Sequence, residues 1–246
     1  MHIPGFSDPD DDRPGAPKKP ARASIGDWVV YKSSQLIAFD KPAALAVQTA
    51  REGAPSLQRL ASAYAKRDLY LLHRIDQPAS GLVLFGRHAK KAAQLQRQFA
   101  DGGVARREYL VVVDALPTGE PGELTHHLAR DRRGNKTVVV DADAEGARAA
   151  ALTWELVGQT DRYPVLRVWP ATAFHHQVRA QLAAAGAPVH GDVKYGARRA
   201  NADRSIHLHA HRLTLEHPVS GQAIALEAPL PSGDALWAAA GEVLGN

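Results

Sequence analysis

The chain has 246 residues, 45% of them hydrophobic and 23% charged, which is enough apolar material for a sizeable core in a globular protein. It contains no Cys, so disulfides, thiolate zinc sites and cysteine catalysis are excluded, and no apolar run approaches the ~20 residues that span a bilayer. The formal charge of +4 and a pI near 9.4 suit a polyanionic partner such as RNA or DNA. The N-terminus lacks the charged head and apolar stretch of a signal peptide, so a cytoplasmic location is expected.

Residues 1–24 hold five prolines and four aspartates among few large apolar side chains, a composition that predicts a disordered tail. Folded sequence, a single domain over residues 25–246, should begin near Ile25 or Trp28. "QLIAFDKP" and "ALAVQ" read as strands, and "PSLQRLASAYAKR" as a helix opened by Pro55. Leu69 to Leu72 and Leu82 to Phe85 read as strands around a connection, His73 to Gly81, rich in turn residues. "RHAKKAAQLQRQFADGG" follows as a helix with Leu95 and Phe99 four apart, closed by Gly102.

The strands "REYLVVVDAL", "GELTHHLA", "KTVVVDA", "AALTWELVGQ" and "YPVLRVWP" come next, then a helix, "HHQVRAQLAAAG". "SIHLHAHRLTLEH" and "QAIALEAPL" form a hairpin turning at "PVSG", and "DALWAAAGEVL" closes the chain as a helix. Runs of strands broken by few helices predict an α+β fold with a mostly antiparallel sheet.

Neither a dinucleotide-binding glycine loop nor a P-loop is present, and "PASGL" lacks the first Gly of a nucleophile elbow. His207, His209 and His211 alternate on one strand and so share a side, as a set of metal ligands would, but no acidic partner lies beside them. The favoured reading is a polar side facing solvent, with Leu208, Leu213 and Leu215 inward and no metal bound. Asp76, on the connection between two apolar strands, is open to two readings. It caps local N–H groups, or it serves as an ionised nucleophile held by a cation such as Arg74 or Arg179.

"HRIDQPASGLVLFGR" resembles the central motif, H-R-L-D-x-x-T-S-G, of the RluA family of RNA pseudouridine synthases. "IAFDKPAALAVQ", "RREYLVVV", "FHHQVRAQLAAAGAPVHGDVKYG" and "LHAHRLTLEHPVSGQAIALEAPLP" resemble further segments of that family, in family order, from about Gln35 to Pro231. No segment resembles the S4 domain that some relatives carry.

The resemblance implies a pseudouridine synthase fold and the isomerisation of uridines in structured ribosomal or transfer RNA. It implies Asp76 as nucleophile, Tyr109 packed on the target base, Arg179 paired with the carboxylate, and Arg74, His73, His176 and Gln177 in contact with substrate. The reaction has no net redox change, hydrolysis or group donor, so no cofactor is expected, and a monomer is the default. An RNA-binding protein with little catalysis on the same fold is the alternative. The chain departs from the pattern at Ala44, Gln48, Ala79, Ala173, Phe174 and His175, where Gly, His, Thr, Gly, Arg and Thr are usual.

Overall fold

The computed structural model describes residues 24–49, 53–118 and 122–245. The expected tail lies outside them except for Ser24, whose N–H donates to the Asp27 carboxylate at 2.7 Å in an opening 3-10 turn, Ile25–Trp28. Among the described residues eleven strands follow: β1 Val29–Lys32, β2 Leu36–Lys41, β3 Tyr70–Leu71, β4 Ser80–Gly86, β5 Arg106–Val112, β6 Glu123–Asp131, β7 Lys136–Val140, β8 Arg148–Gln159, β9 Pro164–Pro170, β10 Leu208–Glu216 and β11 Ala223–Glu227. The helices are α1 Leu57–Ala65, α2 Ala89–Gln98, α3 Gln177–Ala184 and α4 Ala235–Leu244.

All eleven strands join one sheet in the order β1-β2-β4-β10-β5-β9-β8-β6-β7, with β3 on β4 and β11 on β10. Among the described residues the only parallel pairing is β4 with β10, where His209 lies opposite Ser80 and Ala210 opposite Gly81. The α+β, mostly antiparallel fold is therefore as expected. Gly81 has φ +108°, and a Cβ there would sit 2.3 Å from the Ala210 carbonyl oxygen, so only glycine lets the two backbones approach this closely.

The larger core packs α1, α2 and α3 against the sheet through Leu57, Leu95 and Leu182 with Phe39, Phe85 and Val111. A smaller core joins Leu110, Val112 and Val165 to Trp237 and Ala240 of α4. Local chemistry sets the helix starts. Ser56 caps α1 by accepting from Arg59 N–H at 3.4 Å, and Asp234 caps α4 by accepting from Leu236 and Trp237 at 2.9 and 2.8 Å.

Two expectations fail. "ALAVQ" is not a strand, because Ala44 has φ 65° and the carbonyls of Ala46 and Val47 accept from Leu57 and Gln58, the first N–H groups of α1. The segment satisfies a helix N-terminus instead of a sheet partner.

The second correction concerns His207, His209 and His211, which are not solvent-facing. They are 2%, 0% and 4% exposed. His209 is paired with Leu110 on the side that α4 covers, and His207 and His209 lie against Trp237. A bulge between Ala210 and Arg212 shifts the alternation, so Leu213 and Leu215 return to the same core as Leu208 and Ala210. Acidic partners also exist, since His207 meets Asp234 at 3.1 Å and His211 meets Glu227 at 3.5 Å.

Candidate active site

The connection from β3 to β4 carries Asp76 into a cleft, and one buried cation fixes its shape. Lys41, at the end of β2 and fully buried, donates to the carbonyls of Pro42, Leu45, Gln77 and Ala79 at 2.9, 2.8, 3.2 and 2.6 Å. It thereby ties the residues flanking Asp76 to the loop after β2. Burial pulls its ammonium down to about 7, against the opposing charges of Asp76 and Asp40. His73 anchors the other end of the connection. Its Nε2 accepts from Leu84 N–H at 3.3 Å, its ring stacks on Phe99 at 4.7 Å, and burial and then Arg107 push it down to about 3.

Helix α3 supplies the counter-charge. Its first six residues, Gln177 to Leu182, are all buried, so Arg179 must be paired. Its Nε and Nη2 donate to Asp192 at 2.6 and 2.8 Å, and Nη1 donates to Asp76 at 3.1 Å. Burial opposes its charge, but the two carboxylates outweigh that and hold the guanidinium firmly protonated. It also lies 4.8 Å over the ring of Tyr195. Burial raises the Asp76 carboxyl above its ordinary value, Arg179 opposes the rise, the like charge of Asp192 adds to it, and Arg74 opposes it.

His176 starts α3 in a left-handed conformation, φ 54°. The Tyr195 hydroxyl accepts from Thr137 N–H at 2.8 Å and is hydrogen-bonded to His176 Nδ1 at 2.9 Å. Burial and then the Arg179 charge keep the imidazole neutral, and its Nε2 lies 3.9 Å from Asp76 Oδ1. Gln177 is committed internally. It accepts from Thr172 Oγ1 and Phe174 N–H at 3.0 and 3.1 Å and donates to Ala151 O and Gln181 Oε1 at 3.0 and 2.9 Å. It shapes the wall of the cleft.

Tyr109, on β5, faces a cavity of about 330 Å³ that Asp76, His73, Arg74, Phe99, Arg107 and His176 also line. Its hydroxyl makes no hydrogen bond among the described residues, and burial raises it above the ordinary phenol value. The cleft thus brings together Asp76, Tyr109, Arg179, Arg74, His73 and His176, with Gln177 behind them. Sequence reasoning assigned nothing to Lys41, Asp192 or Tyr195, although each lies inside a quoted segment, "DKP" or "GDVKYG". Among the described residues no cluster of His, Asp and Glu is arranged to hold a metal ion.

A carboxylate aimed by an arginine into an aromatic-walled cleft suits a base or sugar drawn out of a strand. The sequence profile of the RNA pseudouridylate synthase family matches residues 35–184, which covers this constellation as far as α3. The chain belongs to that family. It is an RNA pseudouridine synthase, an isomerase of uridine.

Among its relatives, the ribosomal large subunit pseudouridine synthase C of Rickettsia conorii is 29% identical over 217 residues, 87% of this chain and 71% of that protein. The tRNA pseudouridine synthase C of Salmonella typhimurium is 29% identical over 228 residues, 85% of this chain and 86% of that one. A solved human structure, RNA pseudouridylate synthase domain containing 4, superposes with a TM-score of 0.69 at 20% identity over 90% of this chain and 94% of that one, which supports the synthase fold.

Proposed function

We propose that this synthase converts a specific uridine of ribosomal or transfer RNA to pseudouridine in the cytoplasm, as a monomer without metal or cofactor, with Asp76 as the nucleophile. The observation that carries the reading is the 3.1 Å contact from Arg179 to Asp76 in a cavity walled by Tyr109. The carboxylate has one strong partner and is 18% exposed, so an oxygen remains to attack.

In the reaction the N1–C1′ bond breaks with its electron pair going to uracil, the base turns, and C5 bonds to C1′. The C5 proton then leaves and N1 gains one, so atoms balance without an oxidant or a donor. Asp76 bonds to the sugar at C1′ as N1 leaves, or adds to the base at C6, and that bond breaks again by the time C5 is joined to C1′ and rearomatised, so the free carboxylate is regenerated. Tyr109 stacks on the uracil and assists removal of the C5 proton. Arg74, exposed above the cleft, takes the space the extruded base leaves, which offsets part of the few kcal/mol, about 2–4, of unstacking.

The test is pseudouridine mapping of total RNA from cells with and without the protein, then of transcribed ribosomal and transfer RNAs treated with purified enzyme. A uridine converted in both experiments is expected. Conversion of a messenger RNA site alone would overturn the substrate class.

A further inference from the structure

The cleft has a second chamber. A cavity of about 360 Å³ adjoins the first across Arg74, Asp76, His175 and His176, and Asn135 and Lys194 form its far wall. Tyr109, Phe99 and Arg107 line only the first chamber, so the two differ in chemistry.

Two cations face the second chamber with donors to spare. Arg74 makes no hydrogen bond or ion pair among the described residues. Lys194 is exposed and spends one of its three N–H groups on the Asn135 carbonyl at 3.0 Å. That bond fixes the ammonium against the turn between β6 and β7. The chamber also offers a neutral aromatic surface, because the His175 and His176 rings stack at 3.6 Å and 24°. Burial, followed by the charges of Arg130, Arg74, Arg179 and Lys194, pushes His175 down to about 4.

We propose that this second chamber is a subsite for the nucleotide next to the target uridine, with Lys194 holding its phosphate, Arg74 adding positive charge between it and the space the extruded base leaves, and the His175–His176 pair stacking its base. The inference rests on the reading of the protein as acting on RNA and adds to it which neighbour is gripped, and by what. Cations with unspent donors bind phosphate, and a neutral ring accepts any base by its π-face. The two together select a nucleotide over either an anion or a ring alone. The chamber opens beside Asp76, so a nucleotide there fixes the register in which uridine reaches the carboxylate.

The experiment uses a stem-loop carrying the mapped uridine and measures affinity and single-turnover rate. Lys194→Gln should weaken binding about tenfold, the scale of one charge-assisted hydrogen bond, with affinity falling more than rate. The slope of log affinity against log salt should shrink by about 0.7. Lys90→Gln, an exposed lysine lining neither chamber, controls for loss of charge.

The linkages beside the uridine are then replaced one at a time by a neutral methylphosphonate on a 2′-O-methyl sugar. At one linkage the loss caused by Lys194→Gln should vanish. His175→Thr should lose affinity on intact RNA and not on RNA with an abasic sugar at that neighbour. Equal effects of the Lys194 and Lys90 changes, or losses that add at every linkage, would overturn the subsite while leaving the enzyme an RNA modifier. A wild-type protein that converts no RNA would overturn the parent reading and this inference with it.

Discussion

Arg179 gives Asp192 two hydrogen bonds, at 2.6 and 2.8 Å, and reaches Asp76 with the one nitrogen that remains, at 3.1 Å. The bidentate face sets the plane of the guanidinium, so Asp192, 2% exposed, decides where Arg179 points. Asp192→Asn keeps the shape but turns an N–H donor toward Arg179, and the guanidinium must rotate. The rate at saturating RNA should fall about 10- to 100-fold, the scale of an ångström of misplacement, with binding nearly kept. Loss of the Asp192 charge lowers Asp76, but a rotated Arg179 withdraws the larger opposing charge, so the acid limb of the pH–rate profile should move to higher pH. An unmoved limb would reduce Asp192 to a fold-stabilising residue.

Asp76→Asn and Arg179→Met separate chemistry from alignment. The first removes the charge and the proposed nucleophile in a nearly isosteric change, so it should leave RNA affinity intact and give no pseudouridine. The second leaves Asp76 without its main counter-charge, so the rate should fall about 100-fold and the acid limb should shift upward, further than with Asp192→Asn. Arg179→Lys restores charge without the planar fork and should recover part of the rate. Equal losses of affinity and rate for Arg179→Met would reassign that residue to holding RNA.

Lys41→Met should damage the fold more than the chemistry. It strands four carbonyls that now share one ammonium, at roughly 3 kcal/mol in total after partial relaxation. Thermal unfolding should show a midpoint lower by about 6–12 °C. A midpoint within a degree of wild type would mean that water replaces the ammonium without loss.

The buried histidines predict acid sensitivity. His209 is held neutral by burial, with its value lowered from 6.5 to about 3, and His73 falls to about 3 as well. A folded-state value below the unfolded one means the unfolded chain binds more protons. Stability is therefore full above pH 6.5 and lost as pH falls toward about 3. Each such histidine contributes a slope of about 1.4 kcal/mol per pH unit in that window. Melting curves from pH 7.5 to 4.5 should show the decline, and His209→Gln should flatten it; a wild-type midpoint unchanged over that range would refute the account.

Periodicity and turn chemistry gave most strands and all four helices, because each is encoded over a few neighbouring residues. The family motifs also brought Asp76, Tyr109 and Arg179 into one cleft. What the sequence hid depends on distant partners. The side chains around His209 are set by α4, which returns from the chain's far end to cover the second face of β10. "ALAVQ" alternates like a strand, yet the N-terminus of α1 competes for its carbonyls. Lys41 and Asp192 carry no visible signal of their roles, since "DKP" and "GDVKYG" do not say which carbonyls or which guanidinium they meet.

The single parallel contact bears on how the enzyme comes into being. Asp76 and Arg179 are 103 residues apart in sequence, and the strand that follows Asp76 leans on Ala210, later still. A ribosome making this chain releases Asp76 early, while its counter-ion and the strand beside it are still unmade. Until both arrive, the carboxylate lacks the cation that aims it and the strand that backs its loop. Catalytic competence is therefore acquired in a late step of folding, slow in the manner of long-range strand pairing.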